Sequence, residues 1–115
     1  TAPVDSGPCQ IETIYFDFDA DQLSSSARDL ISANVRCMRT RNVARLHLTG
    51  YTDPRGTEEY NLALGDRRAR SVMQYMTSLG VERSALSASS VGEEMSTGEN
   101  EAGWRNDRKV TFTER

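Results

Sequence analysis

The chain has 115 residues, of which 27% are charged and 37% hydrophobic, and its formal net charge at pH 7 is −3. This length indicates one domain with a single modest core. The negative net charge argues against a nucleic-acid binder that works through a broad basic field. No apolar run is long enough for a transmembrane helix and no signal-peptide pattern is present, so we expect no direct membrane insertion by this segment.

The first part of the chain predicts a linker, a strand and a helix. Residues 1–10, TAPVDSGPCQ, are rich in Pro and Gly and indicate an N-terminal tail or linker, which places the domain at residues 11–115. The alternating stretch IETIYFDF (11–18) predicts a strand. After the break DADQLSSS, Ser26 and Asp29 resemble a capping box, and apolar residues then follow at helical spacing to Met38.

Residues 45–113 predict a second strand and a second helix, followed by two further strands. RLHLTGY (45–51) predicts a strand with Leu46 and Leu48 on one face, and the turn TDPRGT follows it. The next helix carries an apolar stripe from Gly65 to Leu79, and Gly80 suits its C-terminal cap. ALSASS (85–90) predicts a weak strand, residues 92–107 a long loop without periodicity, and RKVTFT (108–113) the last strand. The order β-α-β-α-β-β favours helices packed on one face of a sheet.

Two cysteines, Cys9 and Cys37, are an even count in a small chain. One disulfide in an exported domain and two buried thiols in a cytosolic protein are both compatible with this count. A lipid-modified Cys9 is rejected, because the preceding DSGP is polar and turn-like. Without a C-x-x-C or a Cys/His cluster we expect no metal site and no cofactor.

Charges of both signs crowd the stretch TDPRGTEEYNLALGDRRA (52–69). Asp53 follows the second predicted strand, while Asn61, Leu64 and Arg68 are spaced three and four apart on the helix. A carboxylate and a guanidinium flanking one pocket would suit a ligand that carries an amine and a carboxylate. The alternative is that Asp53 and Arg68 pair with each other or with solvent. No activated nucleophile or catalytic carboxylate pair is evident, so we expect no enzyme.

The sequence resembles a known family in several motifs. YFDFD, then GYTDPRGTEEYNLALGDRRARSVMQYM, LGV and the late NDRKV are similar to the OmpA C-terminal-like family, in particular its peptidoglycan-associated lipoprotein (Pal) branch. The similarity spans about residues 11–112. It implies an α+β two-layer sandwich with a mixed sheet and its helices on one face. It also implies a domain that binds peptidoglycan non-covalently at the periplasmic face of the outer membrane of a Gram-negative bacterium.

The resemblance assigns roles to single residues. In the family the ligand is the meso-diaminopimelate of the stem peptide, whose side chain ends in an amine and a carboxylate. The implied ligand-binding residues, by motif, are Asp53 and Arg68 as charge partners, Asn61 as support, Phe16 and Asp17 closing the site, and Thr52 offering its backbone. Residues expected beside the ligand or in a structural role are Tyr51, Leu64 and Arg108. The envelope setting also implies a disulfide between Cys9 and Cys37.

Two departures from the family pattern stand out. Tyr51 replaces the usual histidine before the Thr-Asp pair, and the late Asn-Arg-Arg motif reads Asp107-Arg108-Lys109. Two functions therefore stay open. The first is a wall-binding module that anchors an outer-membrane or envelope protein to peptidoglycan. The second is an interaction domain of the same fold, with weak or no wall binding, that docks Tol-system or other envelope proteins.

Overall fold

The computed structural model describes residues 9–115, so most of the predicted linker 1–10 lies outside the described residues. The described elements follow the order β1 (Ile14–Tyr15), α1 (Ser25–Thr40), β2 (Leu46–Tyr51), α2 (Glu58–Ser78), β3 (Leu86–Gly92), α3 (Glu101–Asp107) and β4 (Lys109–Glu114). The four strands form one sheet in the order β1-β4-β2-β3. Strands β2 and β3 are parallel, and β4 runs antiparallel to both β1 and β2. The predicted α+β architecture with a mixed sheet is confirmed.

The core lies between the sheet and the two long helices. The alternation predicted for β2 is confirmed, since Leu46 and Leu48 are buried and His47 between them is partly exposed. Their buried partners on the helices include Ile31 and Val35 of α1 and Val72 of α2. No helix among residues 9–115 is both long and apolar enough to cross a membrane.

Two glycines bring α2 unusually close to β2. A Cβ added at Gly50 of β2 would lie 2.5 Å from the carbonyl carbon of Gly65 on α2. Only residues without a side chain allow a helix and a strand to approach at this distance. This contact sets the position of the first turns of α2 relative to the end of β2.

Three predictions about elements are wrong. The helix α1 begins at Ser25 with Ser24 as its N-cap, whose Oγ accepts from Ala27 N at 3.1 Å, so the predicted capping box at Ser26 and Asp29 does not form. Of the three successive serines, Ser24 is the N-cap because its backbone is extended, as this position requires.

The first strand is shorter than predicted, because β1 pairs with β4 only at Ile14–Tyr15. After Tyr15 the backbone oxygens accept hydrogen bonds from arginine side chains: Phe16 O accepts from Arg108 Nε at 3.0 Å, and Asp17 O accepts from Arg68 Nη2 at 3.0 Å. The predicted loop 92–107 contains α3, whose N-cap Asn100 accepts from Gly103 N at 3.3 Å through its side chain.

Candidate functional site

A pocket of about 220 Å³ lies where β2 ends and α2 begins. The elements that meet there are the segment after β1, the turn between β2 and α2, and the first turns of α2. Its lining residues are Phe18, Asp19, Thr52, Asp53, Arg55, Gly56, Tyr60, Asn61, Leu64 and Arg68. Four of the residues implied by the family motif, Thr52, Asp53, Asn61 and Arg68, therefore share one pocket, together with Leu64 as an apolar wall.

Asp53 is almost fully buried, and its two carboxylate oxygens are bound by two arginines. Oδ1 accepts from the backbone N of Arg55 at 3.1 Å and from its Nε at 3.4 Å. Oδ2 accepts from Arg55 Nη2 at 2.9 Å and from Arg108 Nη1 at 3.4 Å. Burial raises the pKa of Asp53, but the hydrogen bonds and charge of Arg55 outweigh it and hold that pKa below its usual value. Asp53 is therefore an anion at neutral pH.

Arg68 is fully buried and binds three backbone carbonyls. Its Nε donates to Ala20 O at 2.8 Å, Nη1 to Tyr51 O at 2.9 Å and Nη2 to Asp17 O at 3.0 Å. These bonds fix the segment after β1 against the end of β2. Burial lowers the pKa of Arg68 to about 10, so the side chain stays charged at neutral pH. A guanidinium has five N–H donors, so Nη1 and Nη2 each keep one N–H for a further acceptor.

Asp53 and Arg68 do not pair with each other within the described residues; each has other partners. Asn61 links the turn to the helix, because its Nδ2 donates to Asp53 O at 3.3 Å, to Arg55 O at 3.0 Å and to Glu93 Oε1 at 2.7 Å. The turn is completed by Gly56, whose φ of +102° side chains rarely adopt.

Thr52 has its backbone N–H bound within the fold and its hydroxyl unpaired among the described residues. Its backbone N donates to Gly92 O at 2.8 Å, so this N–H is already used within the fold. Its hydroxyl Oγ1 is buried in the pocket lining and has no hydrogen-bond partner among the described residues. Buried hydroxyls are normally hydrogen-bonded, so this group is a candidate for a ligand contact.

Phe16, Asp17 and Tyr51 stand beside the pocket, outside its lining. The buried Phe16 ring centroid lies 5.2 Å from Arg68 Cζ, and Asp17 contributes its carbonyl oxygen to Arg68. The Tyr51 ring lies 5.0 Å from Lys109 Nζ, and its strand position puts it on the sheet face opposite the helices. The side chain at the position where the family usually has histidine is therefore outside the pocket lining.

Sequence reasoning missed several residues at the mouth of the pocket. The Arg55 guanidinium lies between two aromatic rings, with its Cζ 3.8 Å from the centroid of Phe18 and 4.2 Å from that of Trp104. Glu101 of α3 accepts from Arg108 Nη2 at 3.2 Å. The hydroxyl of Tyr60 donates to Asp19. Arg55 could have been found, since it belongs to the family motif quoted for this stretch, whereas the α3 residues lie in a segment predicted as loop.

Among residues 9–115, no three His, Cys, Asp or Glu side chains are grouped as a metal site would require. Cys9 and Cys37 are joined by a disulfide whose Cα atoms are 5.8 Å apart, which attaches the start of the described chain to α1. The buried carboxylate of Asp107 accepts from Thr97 N and Gly98 N, each at 3.0 Å, and so holds the loop before α3.

Comparison with known proteins assigns the chain to a family. The OmpA family model matches residues 15–109. The chain belongs to the OmpA family. This OmpA-family chain is 39% identical over 102 residues to a peptidoglycan-associated lipoprotein of Pseudomonas putida, covering 87% of this chain and 61% of the relative. A peptidoglycan-associated lipoprotein of Pasteurella multocida is 34% identical, with 87% of this chain and 68% of the relative covered.

Solved structures agree with the family assignment. The crystal structure of the peptidoglycan-associated lipoprotein from Burkholderia pseudomallei has a TM-score of 0.82 and 32% identity, covering 90% of this chain and 89% of the other. The C-terminal domain of MotB from Helicobacter pylori shares the fold at a TM-score of 0.78 and 20% identity, covering 92% of this chain and 87% of that one. The chain spans about three fifths of the length of its Pseudomonas relatives.

Proposed function

We propose that this OmpA-family domain binds peptidoglycan non-covalently by holding the meso-diaminopimelate of the stem peptide. The observation that carries the proposal is that a buried anion, Asp53, and a buried cation, Arg68, line the same small pocket. A diaminopimelate side chain ends in an ammonium and a carboxylate on one carbon atom, which matches this pair of charges. Peptidoglycan association also appears in the names of the relatives that are 34–39% identical.

Each end of the ligand has a chemically suitable partner. The ammonium would bind the carboxylate of Asp53, which is ionised at neutral pH because its pKa is lowered. The carboxylate would accept from the two N–H groups of Arg68 that the backbone carbonyls leave free and from the hydroxyl of Thr52. The apolar wall formed by Leu64 suits the methylene chain between the stem peptide and the charged end.

The proposed role is anchoring rather than catalysis. The lowered pKa of Asp53 makes it a poor proton donor, and its carboxylate is bound by the side chains of Arg55 and Arg108. We propose that the domain ties an outer-membrane or envelope protein to the wall on the periplasmic side. Tol-system or other envelope proteins are proposed as further partners on the family resemblance alone. The alternative, an interaction domain of the same fold with weak or no wall binding, rests on the replacement of histidine by Tyr51, whose side chain is outside the pocket lining.

Isothermal titration calorimetry with a stem tripeptide ending in meso-diaminopimelate tests the proposal. Asp53→Asn keeps the shape of the side chain but removes its charge. A hydrogen bond between charged groups contributes about 1.5–3 kcal/mol, so this variant should bind roughly ten- to a hundredfold more weakly.

Asp29→Asn, on the exposed surface of α1, removes the same charge and should bind like the wild type. Circular dichroism spectra of both variants are needed to check that each is folded. Equal binding by Asp53→Asn and the wild type would refute the assignment of the ammonium to Asp53.

A further inference from the structure

Arg55 already occupies the carboxylate that the proposed ligand needs. Its Nε and Nη2 face the two oxygens of Asp53 side by side, at 3.4 and 2.9 Å. This arrangement is the two-pronged pairing typical of guanidinium and carboxylate groups. The rings of Phe18 and Trp104 hold the flat guanidinium from either side.

The carboxylate of Asp53 already faces four N–H donors, two at 2.9–3.1 Å and two at 3.4 Å. Two oxygens offer about four lone-pair positions. The described structure fills them with the backbone N, Nε and Nη2 of Arg55 and with Nη1 of Arg108. A ligand ammonium can therefore reach Asp53 only by displacing one of these donors. The Arg108 side chain is 5% exposed and the Arg55 side chain is 33% exposed, so Arg55 is the donor that can leave.

We propose that Arg55 is an internal competitor for Asp53, which a ligand ammonium must displace to bind, and that Arg55 thereby sets the affinity of the pocket for amines. This inference rests on the proposed function, since it concerns the same pocket. A residue that contacts the ligand strengthens binding, whereas Arg55 in this role weakens it. Removing its charge should strengthen binding.

The structure also offers a second partner for the displaced side chain. Glu101 Oε1 lies 3.6 Å from Arg55 Nη2, and the Glu101 side chain is 52% exposed. The Arg55 guanidinium is thus already within ion-pair distance of Glu101, and a shift toward Glu101 would exchange one carboxylate partner for the other. The exchange of one carboxylate for another keeps Arg55 paired, which makes the displacement feasible.

Under such competition the apparent association constant is the intrinsic one multiplied by the fraction of molecules in which Asp53 is free of Arg55. Arg55→Met removes the charge but keeps a long unbranched side chain to fill the space between the rings. We expect this variant to bind the diaminopimelate tripeptide about tenfold more tightly than the wild type, which corresponds to about 1.4 kcal/mol. A tripeptide ending in lysine should gain by a similar factor, because it carries the same amine.

The matched control is Arg67→Met. Arg67 lies near Tyr60, which lines the pocket: its Cζ is 5.7 Å from the Tyr60 ring centroid, and its Nε is paired with Asp21 Oδ2 at 2.9 Å. This variant removes one positive charge near the pocket without freeing Asp53, so its affinity should stay within twofold of the wild type. Should Arg55→Met fail to fold, Arg55→Lys keeps the charge but not the two-pronged pairing, and it should bind more tightly than the wild type by a smaller factor.

Glu101→Gln tests the proposed resting place of the displaced guanidinium. In the wild-type background it should weaken binding about threefold, because Arg55 then has no second carboxylate. In the Arg55→Met background the same change should have little effect. This double-mutant cycle separates the path through Arg55 from the contact between Glu101 and Arg108.

Calorimetric titrations of these variants give outcomes that differ for the two proposals. Tighter binding by Arg55→Met, with Arg67→Met unchanged, supports the competitor role. If Arg55→Met binds the peptide as tightly as the wild type or more weakly, the competitor role is overturned, while the proposed function is unaffected. If neither the wild type nor any variant binds at millimolar peptide, both proposals fail.

Discussion

Replacing Gly50 by alanine should damage both stability and binding, because Gly50 sets the distance between β2 and α2. The new Cβ would lie 2.5 Å from the carbonyl carbon of Gly65, whereas ordinary contact distances are 3.4–4 Å. The obstacle is helix backbone and not a side chain that can rotate away. The Gly65 carbonyl oxygen would lie closer still to the new Cβ, so the helix α2 must move away from β2 by more than about 1 Å.

This movement has a cost that can be expressed as a free energy of unfolding. Overpacking of this kind typically destabilises a domain by about 1–3 kcal/mol. For a domain of this size, each kcal/mol lowers the melting temperature by roughly 4 °C. The pocket should open as well, because Thr52 and Asp53 follow Gly50 while Asn61 and Arg68 flank Gly65. The bond from Asn61 Nδ2 to Asp53 O is already 3.3 Å long and would be lost.

Urea unfolding followed by circular dichroism measures the first effect, and titration with the diaminopimelate tripeptide measures the second. Thr49→Ala is the control, since Thr49 precedes Gly50 on the same strand but lies on the opposite sheet face. It should lower the free energy of unfolding by less than about 1 kcal/mol and leave the affinity unchanged. A Gly50→Ala variant as stable as the wild type would refute this account of helix placement.

Two further predictions concern the other end of the sheet and its outer face. Replacing Cys37 by serine should lower the free energy of unfolding by about 3.5 kcal/mol on the chain-entropy description, since the disulfide to Cys9 spans 28 residues. A loss below about 1 kcal/mol in urea unfolding would contradict this prediction. Two alkylated thiols in mass spectra of the unreduced wild-type protein would contradict it as well. Burial, with the charge of Arg115, lowers the pKa of His47, so the folded state binds fewer protons than the unfolded state between that lowered pKa and about 6.5. Stability should therefore rise with pH through this window, and His47→Gln should flatten the rise; equal pH slopes for the two proteins speak against this role.

The main elements of the fold were predictable from local patterns. Strand β2 alternates cleanly, and α2 is long enough to show its apolar stripe and the glycine that follows it. The helix α3 has only seven residues, too few to show helical periodicity. The end of β1 was mispredicted because the backbone after Tyr15 binds arginines distant in sequence, and a local pattern carries no trace of them.

The site was predictable where its residues share one motif. The positions of Asp53, Asn61 and Arg68 in one pocket follow from a turn and a helix that are adjacent in sequence. The hydrogen-bond partners of Asp53 were not predictable in the same way. Arg108 and the aromatic and acidic residues around Arg55 come from segments far along the chain, and only the folded structure brings them together.

The proposed function requires the pocket to recognise an amine and a carboxylate on the same carbon atom. The most direct test is the ratio of wild-type dissociation constants for two stem tripeptides, one ending in meso-diaminopimelate and one ending in lysine. Lysine keeps the amine for Asp53 but lacks the carboxylate, so the free N–H groups of Arg68 and the hydroxyl of Thr52 stay unpaired. We predict that the lysine peptide binds roughly ten- to a hundredfold more weakly, since the lost contact contributes about 1.5–3 kcal/mol. Equal dissociation constants for the two peptides would contradict the account.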